Sequence, residues 1–409
     1  MTAAHPRPSI LLITAAFVAT LAGHFTLDRV GLNLPVLNDV RVLLFTAVVL
    51  AFLLEMNHAR WRPTTAAARH CLPPILVLIG YQMLSASWAP PGAIVHDVLG
   101  DLVAMVVLLT VYTALAAWDR DRVVMVTMGC LYAAGWIYFL YAASGRGHTE
   151  SGRWAAFGGG PNVFIRVVVL GLLAAAYFYF RGGGKLIWLI AVPPFLVAAL
   201  ASGSRGGLTA LGITTAVALP SLWPTIRSRR FVQALLALGA LCAVTWSIVG
   251  DMVTSLLQNR LFTTTLQQRY ASGRDVLYEK GFEVFIERPV LGSGVHGFYA
   301  ITNLGPGERY VHNLFLAVAA EGGAVGLILL LIALGALRHE FARLPVRKRS
   351  LESRAAAYSG IFVAGASLFS GDYYDTRLMW ILFLLAAIHP TVNLPRPVHD
   401  LTGRRRADE

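Results

Sequence analysis

Residues 162–207 read NVFIRVVVLGLLAAAYFYF, then RGGG, then KLIWLIAVPPFLVAALA, then SGSRGG. Two apolar runs are separated by one arginine and three glycines, and the second ends in a small polar turn that opens a further run. Each is close to the roughly 20 residues with which a helix crosses about 30 Å of hydrocarbon. Runs of this length recur along most of the chain, so the sequence implies a bundle of membrane helices and no separate soluble domain.

Composition agrees. The chain is 56% hydrophobic and 14% charged, with a mean hydropathy of +0.62; a soluble domain is about 45–50% apolar and about 25% charged. The expected fold is all-α and integral to the membrane, one polytopic domain over 1–409. The expected spans are twelve, roughly 9–27, 40–56, 72–87, 98–117, 123–143, 162–180, 185–202, 206–221, 231–250, 312–335, 355–371 and 377–394. No A-x-A cleavage site follows the first run, so it reads as a retained helix and not a removable signal. Cys71, Cys130 and Cys242 lie in or beside apolar runs without CxxC pairing, which supports neither a disulfide framework nor a zinc site. The net charge of +12 raises the question of nucleic acid, but in a membrane protein it first asks on which side the charges lie.

Arg60, Arg62 and Arg69, then Arg227, Arg229 and Arg230, then Arg338 to Arg354, then Arg404 to Arg406 all fall on one side of such a layout. The positive-inside rule makes that side, with both termini, cytoplasmic. Residues 251–311 then form the only long loop, outside the cytoplasm. Function concentrates on such loops. Within it Ser272-Gly273-Arg274-Asp275 fits a helix start with a capping box, and Pro289 fits the stop. Tyr278, Phe282, Phe285 and Ile286 make one helical stripe and Asp275, Glu279, Glu283 and Glu287 another, predicting an amphipathic helix on the bundle mouth or membrane surface. Packing on the bundle explains the stripe as well as a gating role does.

The informative basic residues break the topology bias by sitting at the outer ends of spans: Arg146, Arg153, Arg166, Arg205, Arg274 and Arg377. A charge at the hydrocarbon boundary is costly unless paired. Taken singly, each is explained by snorkelling or by pairing with Asp372 or Asp375. Arg205 is the sharpest, since Ser202 to Gly207 sets one guanidinium among small residues that admit a ligand to the backbone, at the positive end of a helix. Guanidinium grips phosphate bidentately and stays charged at every relevant pH. A second constellation follows: Pro289 to Gly294, Phe298, then His312-Asn313 opening a span that carries Glu321-Gly322-Gly323. His312 is a candidate general base or phosphate donor, with an interfacial capping histidine as the plain alternative. Glu321, about 13 Å deeper at 1.5 Å per residue, reads as a buried structural partner.

Jointly, Ser202 to Gly207, Gly273-Arg274-Asp275, Pro289 to Gly294 with Phe298, His312-Asn313 with Glu321-Gly322, and Asp372 to Trp380 with Arg377 resemble the O-antigen ligase and polymerase superfamily of bacterial envelope glycosyltransferases. They span about the C-terminal half, in the family's order. The resemblance implies a many-helix fold related to the GT-C glycosyltransferases and an undecaprenyl diphosphate-linked glycan donor. It implies a lipid A-core or glycan acceptor, and neither nucleotide sugar, metal nor other cofactor. By position, Arg205 and Arg274 resemble the diphosphate-binding arginines and His312 the essential histidine beside the acceptor; Arg166, Arg377, Asp372 and Arg153 are the further substrate-binding candidates. The loop is short between Arg274 and His312. A ligase is the expected function, with a polymerase of the same superfamily as the alternative. A lipid-linked sugar transporter fits less well, because the polar residues gather at one face and no repeat relates two halves. No nucleic-acid partner is expected.

Overall fold

The computed structural model describes residues 7–22, 40–59, 66–226, 274–304, 310–345 and 348–388, with scattered residues between 229 and 254. Among them the α-helices are α1 (Ile10–Ala22), α2 (Val40–Ala59), α3 (Ala66–Leu84), α4 (Val95–Ala143), α5 (Pro161–Arg181), α6 (Val192–Ala201), α7 (Arg205–Ile226), α8 (Arg274–Glu287), α9 (Gly297–Thr302), α10 (Leu314–Ala342), α11 (Leu351–Ser367) and α12 (Arg377–Ala387). Four helical stretches, Ala68–Trp88, Val95–Ala143, Pro161–Arg181 and Leu314–Ala342, are long and apolar enough to cross a membrane. Ile10–Ala22, Leu43–Asn57, Leu186–Ala201 and Arg377–Ala387 are shorter apolar helices beside them. Of the expected span 231–250, twelve of the twenty residues are described, all of them helical.

Departures from the expected boundaries have local causes. The runs 98–117 and 123–143 are continuous in the 49-residue α4, which at 1.5 Å per residue would be about 74 Å long, far more than one crossing needs. Its break is at Asp119 (φ −150°, ψ 83°), whose carboxylate accepts from Arg122 N at 3.1 Å and so caps the second half. The run 185–202 starts as a 3₁₀ turn, Leu186–Ala191, and becomes α6 only with Pro193 and Pro194 in its first turn. There their missing N–H groups are no loss.

The ends of the helices segregate. Around the α4 break, buried Arg120 donates to Ile388 O (3.0 Å), Ser350 Oγ (2.8 Å) and Asp121, joining α4 to the start of α11 and the end of α12. Arg181, at the end of α5, pairs there with Glu352. The starts of α4, α5, α7, α10 and α12 share the other end, called here the Arg205 end. Large side chains such as Trp380, Tyr112, Phe164, Phe195 and Phe362 fill the middle, while Leu11, Leu54, Ile187, Leu331 and Ile332 face outward, as lipid-exposed positions do.

The expected amphipathic helix is α8; Ser272, its expected cap, lies outside the described residues. Its acidic stripe faces solvent, as read, but the buried face is displaced by one position. Leu277, Gly281 and Val284 pack inward, while Phe282 and Ile286 are more than half exposed. Gly281 decides this, because a side chain there would strike Val311 and Leu316 at 2.9–3.2 Å. Only a glycine lets α8 lie this close to α10.

Candidate functional site at the Arg205 end

Ser204 initiates α7. Its hydroxyl donates to Asn162 Oδ1 (2.7 Å) at the start of α5 and accepts from Gly207 N (3.4 Å), and its carbonyl accepts from Leu208 N (3.1 Å). Arg153 braces the turn, with Nε donating to Ser202 O at 2.8 Å and the side chain lying over Gly203, whose φ of +59° suits glycine. The neighbouring glycines have a different reason from the one the sequence suggests. A Cβ on Gly206 would meet Phe369 at 2.3 Å, and one on Gly207 would meet Ile165 at 2.5 Å. They serve helix packing, α7 against α5 and the end of α11, and not ligand approach. That packing fixes where Arg205, the first residue of α7, points.

A second support carries His312. Asn313 caps α10, accepting from Leu316 N at 3.1 Å, and its Nδ2 donates to Leu368 O (3.2 Å), which also accepts from the Tyr278 hydroxyl (3.3 Å). The starts of α8 and α10 thus converge on the end of α11. His312 takes a left-handed conformation (φ 62°) with its ring 4.1 Å from that of Tyr310. Burial, then the charges of Arg274 and Arg166, push the imidazole down to about 4, so it is neutral at physiological pH. Burial also lowers Arg274, and the Arg205 charge lowers it further. Burial raises the Tyr310 phenol to about 12, although the Arg166 charge pulls the other way. Arg274 and Arg166 therefore act on His312, and Arg205 acts on Arg274.

Arg166 sits on α5 with a side chain only 14% exposed and reaches Asp375 at 3.8 Å. Its Nε and Nη2 are buried and have no hydrogen-bond partner among the described residues. It borders a cavity of ≈ 290 Å³ shared with Tyr310, His296, Asp97, Asp101 and Asp372. Asp372 is buried, and burial followed by the nearby Glu321 charge raises its carboxyl well above the usual range. Arg377 lies behind this wall, 3% exposed, between Asp375 (3.5 Å) and Asp101 (4.0 Å). Asp97, Asp101, Tyr310 and His296 were not singled out from the sequence. The i, i+4 pair Asp97 and Asp101 at the head of an apolar run was a readable signal.

The PVLGSG and EGG motifs complete one another. α10 breaks at Gly323 (φ 63°, ψ −163°), which frees backbone groups on both sides. The segment Pro289–Gly294 supplies their partners: Ser293 N donates to Ala320 O, Gly294 N to Glu321 O, Ala324 N to Pro289 O and Val325 N to Val290 O, at 2.8–3.2 Å. Tyr81 donates to Gly322 O at 2.8 Å. The Glu321 carboxylate accepts from His296 N (2.8 Å), Phe298 N (3.2 Å) and Tyr373 Oη (2.7 Å). It is a buried organiser of the loops that wall the cavity.

Residues 189–331 match the family model described as O-Antigen ligase. The match begins before α6, includes Arg205, Arg274, His312 and Glu321, and stops before Asp372 and Arg377. No curated protein matches the chain. The chain thus has helices apolar enough to cross a membrane and, over about a third of its length, a segment similar to the O-antigen ligase family.

Proposed function

We propose, with that segment as premise, that the chain is an O-antigen ligase: a glycosyltransferase moving a polysaccharide from undecaprenyl diphosphate to a hydroxyl of lipid A-core at the periplasmic face of the inner membrane. In this reading both termini are cytoplasmic and the helices make about twelve crossings. The observation that carries it is the grouping of Arg274 and Arg166 near a neutral His312, with Arg205 in the field of Arg274 and with buried Arg166 nitrogens that find no acceptor among the described residues, beside a cavity. Positive charges gathered in a partly dry site favour the arrival of a polyanion.

The chemistry follows. The bond between the anomeric carbon and the diphosphate oxygen breaks, and the electron pair leaves on undecaprenyl diphosphate. The arginines stabilise that charge without reorganising, which is where preorganised donors act most strongly. The acceptor oxygen bonds to the anomeric carbon and its proton passes to the His312 imidazole, already neutral and able to accept it. Asp372, Asp97 and Asp101, at the cavity wall, offer acceptors to sugar hydroxyls.

Purified protein with undecaprenyl diphosphate-linked glycan and lipid A-core tests the reading. Glycan joined to lipid A-core supports a ligase. Lengthened lipid-linked glycan, formed without lipid A-core, marks a polymerase. No product under any condition would remove the enzyme and leave a transporter.

A further inference from the structure

At the end of the bundle opposite Arg205, α5, α7 and α11 border an open groove of ≈ 430 Å³. Its walls are apolar, from Leu173, Ala176 and Phe180 on α5 and Ala218 and Leu219 on α7. The same two helices are held close at their other ends, where Gly207 rests on Ile165. Polar side chains along the groove are engaged: Thr214 and Thr215 donate to carbonyls one turn back at 2.8 Å, Tyr358 and Ser221 share a hydrogen bond of 2.5 Å, and Tyr177 joins the Arg181–Glu352 pair. Arg354 differs. Its Nε is buried and has no hydrogen-bond partner among the described residues, and the nearby carboxylate of Glu352 is taken by Arg181.

A buried donor left unmatched costs about 1–3 kcal/mol, and here the missing acceptor must arrive attached to something apolar, since the space beside it is walled by hydrocarbon. We propose that this groove binds one anionic glycerophospholipid, with an acyl chain along α5 and α7 and its phosphate on Arg354. Arg181, 40% exposed nearby, is compensated by Glu352, which leaves Arg354 as the cation of the groove. In the orientation proposed above the site faces the cytoplasmic leaflet, where anionic lipids set the surface charge. The binding itself depends neither on that orientation nor on glycosyl transfer.

The test uses the full-length protein in neutral detergent, given phosphatidylglycerol and phosphatidylcholine of identical chains, with retained lipid read by native mass spectrometry. Wild type keeps a single phosphatidylglycerol with about tenfold preference, the size expected of one charge-assisted contact. Arg354→Gln loses the preference, Arg354→Lys keeps most of it, and Ala218→Trp, which fills the groove, releases both lipids. Equal retention of the two lipids by wild type, or an unchanged preference in Arg354→Gln, overturns the proposal. A disulfide from Ala218→Cys to the native Cys242, formed equally with and without lipid, would also overturn it by giving the groove to the chain's own 231–250 segment.

Discussion

The field around His312 makes a quantitative prediction about donor binding. In the free protein burial and two arginines hold the imidazole at about 4, some two to three units below the ordinary 6.5 or so, equivalent to roughly 3 kcal/mol against its charged form. A bound diphosphate supplies the opposite charge. One net negative charge about 6 Å away, at an effective dielectric of about 20, favours the imidazolium by roughly 3 kcal/mol, or about two units. Occupancy by undecaprenyl diphosphate should therefore bring His312 back to about 6, a better base at the moment when a proton has to be taken. Diethyl pyrocarbonate acylates only neutral imidazole, so the His312 peptide can be followed by mass spectrometry against free acetylhistidine. Between about pH 5 and 8 the free protein should show a flat profile, with His312 fully reactive. With undecaprenyl diphosphate, reactivity should fall as the pH drops through about 6, on top of any uniform shielding. Half-reactivity near pH 6.5 in the free protein, or a profile that stays flat with ligand, would refute the electrostatic account.

Arg205→Ala and Arg274→Ala should each lower transfer by about 10²–10³-fold at normal membrane abundance, and Arg205→Lys should also be impaired because an ammonium lacks the planar fork; wild-type rates in all three would remove the site. Glu321→Ala strands the donors of His296, Phe298 and Tyr373 at about 1–3 kcal/mol each, so thermal stability and abundance should fall; an unaltered melting profile with lost transfer would instead make Glu321 a site residue. A cysteine replacing Glu279, exposed on α8, should react with an impermeant maleimide from the periplasm, and labelling confined to the cytosol would reverse the orientation and with it the proposed site.

Hydrophobic run length was enough to place most described helices, because a crossing helix must satisfy its backbone internally and shed its charges over a fixed length. The expected 98–117, 162–180, 206–221 and 377–394 runs all meet helices in the structure. What run length misses is set by contacts between distant segments. The one-position rotation of α8 follows from Gly281 meeting Val311 and Leu316, a fact absent from the periodicity of α8 alone. The insertion of Pro289–Gly294 into the break at Gly323 joins two motifs that look independent in sequence, since each glycine there reports a backbone requirement but not its partner.

The arginines show how structure sorts residues that look alike in a sequence. Arg120 is almost wholly buried, at 4% exposure, and donates to Ile388 O, Ser350 Oγ and Asp121. Its task is to tie helix ends together. Arg153 likewise spends its Nε on Ser202 O. Arg377 stands between the two cases, flanked by Asp101 and Asp375 but with its Nη1 buried and unmatched by a hydrogen-bond partner among the described residues. Arg166 has a single carboxylate at 3.8 Å and two buried nitrogens without acceptors among the described residues. It borders a cavity and faces His312 and Tyr310. A structural arginine buried to that degree would be expected to find its hydrogen bonds within the fold. That two Arg166 nitrogens do not, in the region where Arg205 and Arg274 already repel one another, is the reason to read Arg166 as offered to an anion from outside the protein and Arg120 and Arg153 as framework.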